Sequence, residues 1–96
     1  MPDALDLARS YVSIGMRAAK ARTRALEAAG EVTRLEGAPP PDPTGPGDFA
    51  ATAARSAHRR NLDMARLKLE RASKRARAAA AEEEAARQAL SDALTA

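Results

Sequence analysis

The stretch GAPPPDPTGPG, residues 37–47, packs five prolines and three glycines into eleven positions and decides how the chain is built. Proline lacks the N–H donor, and its ring clashes with the preceding turn of a helix, so this stretch can be neither helical nor a central strand. Its first half reads as an extended, polyproline-like spacer. Pro40 and Pro43 stand in PxxP spacing, which the proline-rich composition accounts for without a dedicated ligand motif. Outside the stretch the only other breakers are Pro2, Gly15 and Gly30. Two helix-capable segments therefore flank one linker.

The first segment predicts a helix over about residues 3–36, opened by Pro2 and Asp3 and stopped by Gly37 with Pro39 behind it. Gly30 is the place where it would bend or end early, because a mid-helix glycine costs about 1 kcal/mol relative to alanine. The second segment predicts a helix over about residues 48–95, with Asp48 as N-cap and neither glycine nor proline after it. A linker of 11 residues exceeds the roughly 2–8 usual between bundle helices, so an antiparallel hairpin is permitted without being forced.

Heptad spacing names the faces. In the first helix Ala4, Tyr11, Ala18, Ala25 and Val32 fall on one line and Leu7, Ile14, Ala21, Ala28 and Leu35 on the other, without a polar interruption. In the second, Leu62, Leu69, Ala76, Glu83 and Leu90 alternate with Ala65, Ala72, Ala79, Ala86 and Ala93. A further apolar line on the first helix, Leu5, Val12, Ala19 and Leu26, widens its arc beyond what one neighbouring helix covers. Met64 and Leu67 do the same on the second. The fold class expected is all-α: two long helices in a coiled-coil-like antiparallel hairpin spanning residues 1–96, completed to a four-helix bundle by self-association. Pairing the helices symmetrically about the linker puts residues opposite where their numbers sum to about 84. That register leaves the end of the second helix, with Leu90 and Leu94, overhanging.

Composition points the same way. Of the 45% hydrophobic residues, 26 are alanine and only 17 are larger, so a compact globule is short of core material. The net charge of +3 is too low for a disordered polyelectrolyte, and alanine, arginine, leucine and glutamate are strong helix formers. There is no cysteine, hence no disulfide or thiolate site. The N-terminus has no secretory pattern and no run is long enough to span a bilayer, so the expected address is the cytoplasm.

No catalytic, cofactor or metal constellation is found. His58 is the sole histidine and has no metal-ligand spacing around it. Glu82, Glu83 and Glu84 point about 100° apart on a helix and cannot converge on one cation. The serines lack a base partner, and there is no phosphate-binding glycine loop. The chain is expected to be non-enzymatic.

Nine cations lie between residues 55 and 77 against Asp63 and Glu70. The candidate polyanion-binding set is Arg59, Arg60, Arg66, Arg71, Lys74, Arg75 and Arg77 on the second helix with Arg17, Lys20, Arg22 and Arg24 on the first. Against nucleic acid stand the low net charge, the neighbouring acidic run and the presence of only two aromatics, Tyr11 and Phe49. The segment RRNLDMARLKLERASKRAR superficially resembles a basic leucine zipper arm, but the leucine heptads that should follow become alanine and glutamate. Glu70 with Lys74 and Glu83 with Arg87 have the four-residue spacing of helix-surface ion pairs.

In size and two-helix outline the chain is similar to the small proteins exported by type VII secretion. It departs from their pattern in having no tryptophan for the Trp-x-Gly turn, and Tyr11 stands far from a C-terminal signal, so that family is not assigned.

The function expected is that of a helical protein–protein interaction module, a small regulator, adaptor or assembly subunit, with a homodimer or a helical protein as partner and no membrane. Its expected contact residues are Leu7, Tyr11, Ile14, Val32, Leu35, Leu62, Leu67, Leu69, Leu90 and Leu94. Nucleic-acid binding through the basic band is the alternative.

Overall fold

The structure, a computed structural model, describes residues 3–96, so Pro2 lies outside the described residues. Helix α1 spans Ala4–Glu36 and helix α2 spans Phe49–Thr95, and the two pack against each other as an all-α hairpin. Among the described residues there is no strand, and no helix is long and apolar enough to cross a membrane. The chain divides into two compact units, one of Met1–Ala25 with Ala72–Ala96 and one of Leu26–Arg71.

Both helix starts are capped by aspartate. The Asp3 carboxylate accepts the Asp6 N–H at 2.8 Å, and the Asp48 carboxylate accepts the Ala51 N–H at 3.1 Å. Each satisfies an N–H that has no partner within the helix. Asp48 also accepts the N–H and the hydroxyl of Thr44, at 3.2 and 3.1 Å, which ties the linker to the first turn of α2. The Thr44 and Ala51 N–H groups, followed by the Thr44 hydroxyl, hold the Asp48 carboxyl below the usual aspartate range. At the other end, the Gly37 N–H donates to the Thr33 carbonyl at 3.0 Å, so close that a β-carbon on residue 37 would sit 3.3 Å from that oxygen. Helix α1 continues through Gly30 to Glu36, so the early end that this glycine suggested does not occur. Packing of the flanking Ala28 and Val32 into the seam outweighs the propensity cost.

The seam follows the heptads. Ala18, Val32 and Ala65 are buried, and Leu7, Tyr11, Ile14, Leu35, Leu62, Leu69, Ala72, Ala76, Ala79, Ala86 and Leu90 are half-buried beside them. Ala93, the last position of its line, is exposed. No large side chain is fully buried among the described residues, as expected where most seam positions are alanine.

The register differs from the symmetric one. In the first unit Arg17 meets Glu82 and Arg22 meets Glu83, pairs whose numbers sum to 99 and 105. In the second unit Arg66 meets Glu36, a sum of 102. Residues 81–95 of α2 therefore do not overhang; in the first unit they lie beside the first turns of α1, and Leu90 is half-buried there. The cause is the linker. Its extended residues advance about 3.1 Å each against 1.5 Å for a helical residue, so a short spacer runs past many turns of helix. Within the second unit it lies back along the first turns of α2, where Arg55 pairs with Asp42 at 3.0 Å and Pro39 and Pro40 share a groove of about 340 Å³ with His58 and Leu62.

A β-carbon at residue 30 would meet nothing within 4 Å, so Gly30→Ala should raise Tm by about 4–8 °C in a thermal circular-dichroism melt. The depressed Asp48 carboxyl contributes stability in full above the ordinary aspartate value and loses it as pH falls through the lower folded value. Asp48→Asn keeps a cap that does not titrate, so it should flatten part of the fall in Tm between about pH 5 and pH 2; an unchanged acid limb would contradict that role.

Candidate functional site

The helical wheel of α1 fixes what its neighbour can cover. The seam positions, with the adjoining Ala8, Gly15 and Ala29, form one half-buried arc. The next strip round the helix carries Leu5, Val12 and Leu26, with Met16 one position further, and these are 58%, 60%, 74% and 62% exposed. Four large apolar side chains on one strip of one helix thus face away from α2. On α2 itself Met64, Leu67 and Leu94 are exposed as well.

Of the ten contact residues expected from sequence, the eight at heptad positions, Leu7, Tyr11, Ile14, Val32, Leu35, Leu62, Leu69 and Leu90, lie in the chain's own seam. Leu67 and Leu94 lie outside it. The register puts Leu94 level with Leu5 in the first unit, at a sum of 99. Met16 was not singled out from sequence, although its place four residues after Val12 is the signal for it.

Charge lies on both flanks of the seam, Arg17 on the side away from the apolar strip and Arg22 on the line of Ala8, Gly15 and Ala29 beside it. Arg17 and Glu82 approach to 3.6 Å, and Arg22 and Glu83 to 3.5 Å. Glu83 is the one acid at a seam position, and it fits because Gly15 faces it: a β-carbon on residue 15 would stand 3.0 Å from Glu83 Oε2. Glu84 points elsewhere, to Arg87, so the expected pairing of Arg87 with Glu83 does not form. The bond to Arg87 draws the Glu84 carboxyl below its ordinary value. The three consecutive glutamates are therefore each taken by a different arginine, and among the described residues no acid or histidine cluster could hold a metal ion. In the second unit Glu31 is bonded by Arg34, with Lys68 contributing to the same lowering of its carboxyl. Glu70 and Lys74 do not pair.

The basic band is thus partly neutralised. Arg17, Arg22 and Arg66 have carboxylates across the seam, the last at 3.9 Å. Among the described residues Lys20, Arg24, Arg59, Arg60, Arg71, Lys74, Arg75 and Arg77 have none within 4.0 Å. His58 is half-buried in the groove under Pro39 and Pro40, with Arg55 and Asp42 already engaged with each other.

Arg17 and Glu82 test the register directly. Both are more than half exposed, so their coupling should be only about 0.2–1 kcal/mol, yet Arg17→Glu and Glu82→Arg should each lower Tm and the double exchange should restore it. Additive losses in that thermal double-mutant cycle would contradict the pairing. No protein family, curated protein or solved structure matches the chain.

Proposed function

We propose that this chain is a non-enzymatic helical association module, a small adaptor, regulator or assembly subunit, whose uncovered strip on α1 packs against a helical partner. In the simplest case the partner is a second copy and the product a four-helix bundle. The observation that carries this reading is the strip of Leu5, Val12 and Met16 in the first unit, each more than half exposed. Isolated exposed leucines need no explanation, but a line of them at helical spacing is the pattern by which helices recognise helices.

Surface area supports it. The chain exposes 7166 Å², whereas a compact monomer of 10.1 kDa exposes about 5,300 Å². The surplus of about 1,900 Å² exceeds the roughly 800 Å² that each partner contributes to an ordinary protein interface. Covering it would add to a chain whose buried residues are Ala18, Val32 and Ala65 the apolar burial that its own two helices do not supply.

Sedimentation at low micromolar concentration should show a dimer or a larger species. Val12→Asp together with Met16→Asp should weaken association about 100-fold while leaving helix content intact, since neither side chain belongs to the seam. A wild-type chain that sediments as a fully helical monomer, and stays one when offered native extract, would refute the reading.

A further inference from the structure

The flank of the seam opposite the apolar strip carries a charge pattern that intrachain pairing does not explain. Arg17 faces Glu82 there at 3.6 Å. One heptad further along α1 and one heptad back along α2, the same edge brings Arg24 level with Arg75, and both belong to the first unit. In the second unit the same arithmetic pairs Glu31 with Lys68, and there the two line one groove together with Leu35 and Ala65. Positions with the same spacing thus pair opposite charges at Arg17 and at Glu31, but like charges at Arg24. Two cations directly opposed across a helix pair destabilise it. Lys20, one turn before Arg24, is exposed as well, and among the described residues none of the three has a carboxylate within 4.0 Å.

We propose that Arg24, Arg75 and Lys20 form a site for the phosphodiester backbone of duplex nucleic acid, read without regard to base sequence. Within the first unit the neighbouring positions on this flank are Ser10, Ser13, Ala78 and Ala85, and the large apolar side chain on the same line of α2, Met64, lies in the second unit beyond Arg71, so little apolar surface adjoins the three cations for a protein partner to bury; Glu27, one turn after Arg24, pairs with none of them. Phosphate needs none, and guanidinium groups suit its oxygens. The two aromatics are placed elsewhere, Tyr11 half-buried in the seam and Phe49 in the second unit, which removes base stacking and favours a duplex over a single strand. The site stands on a different flank from the apolar strip and does not depend on self-association.

The test is fluorescence anisotropy of the full chain with a duplex DNA of about 20 base pairs, titrated at several salt concentrations. Three phosphate contacts give a slope of log K against log salt of about −2.7. Arg24→Glu and Arg75→Glu, each tested alone, should move the slope to about −1.8 and weaken binding about tenfold at 50 mM salt. Each should at the same time raise Tm, because it turns a like-charge pair into an attractive one. Arg9→Glu makes the same change in net charge away from this edge and should weaken binding less than threefold. The proposal is overturned by no binding at 50 mM salt, by equal losses in Arg9→Glu, or by a fall in Tm for Arg24→Glu. Tighter binding of polyglutamate than of the duplex would likewise overturn it, in favour of an acidic protein.

Discussion

A seam built on alanine cannot by itself decide which turn of one helix lies beside which turn of the other. The lines Ala18, Ala21, Ala25 and Ala28 on α1 and Ala65, Ala72, Ala79 and Ala86 on α2 repeat every heptad with nearly identical side chains. Sliding α2 by two heptads would still set alanine against alanine along this middle part of the seam. Charge and shape at a few positions break this degeneracy. Glu83 enters the seam where Gly15 leaves room, reaches Arg22, and stands beside a Glu82 that reaches Arg17. Each pair is exposed and individually weak. The alternatives they must outweigh are nearly degenerate, so weak interactions suffice to select among them.

The helix boundaries and the seam were readable in the sequence because they depend on local chemistry. Asp3 and Asp48 cap, Gly37 stops, and the apolar spacing names the buried line almost residue by residue. The register was not readable, for the reason just given. The symmetric pairing about the linker and the observed one, with sums of about 84 and of 99 to 105, differ by two to three heptads, and the periodic pattern is blind to shifts of whole heptads. What separates them is the path of residues 37–48, which fold back along α2 instead of turning tightly, and nothing in the proline count specifies that direction. The charges follow the register: Glu83 has the spacing to pair with Arg87 on its own helix, but the observed register offers it Arg22 and leaves Arg87 to Glu84.

The same local logic explains why the candidate site was only half legible. Large apolar residues at heptad positions are the obvious contact candidates, and Leu7, Ile14, Leu62 and Leu69 are indeed contacts, but between the chain's own helices. A residue that is conspicuous in sequence tends to be used first inside the fold. What remains for another molecule is the residue one strip further round, such as Val12 or Met16, whose significance depends on how wide an arc one neighbour can cover.

Two flanks of one seam then present different chemistry because one helix carries both. Round α1 the apolar strip at Leu5, Val12 and Leu26 and the charged edge at Arg17 and Arg24 each lie about 100° from the line of Ala18, on opposite sides of it. Alanine at the centre allows this: it lets the helices approach while leaving both flanks accessible, whereas large seam residues would hold the helices apart and draw the flanking side chains inward to cover them. The scarcity of large side chains at the seam is thus also what leaves the apolar strip and the cationic edge free to act separately.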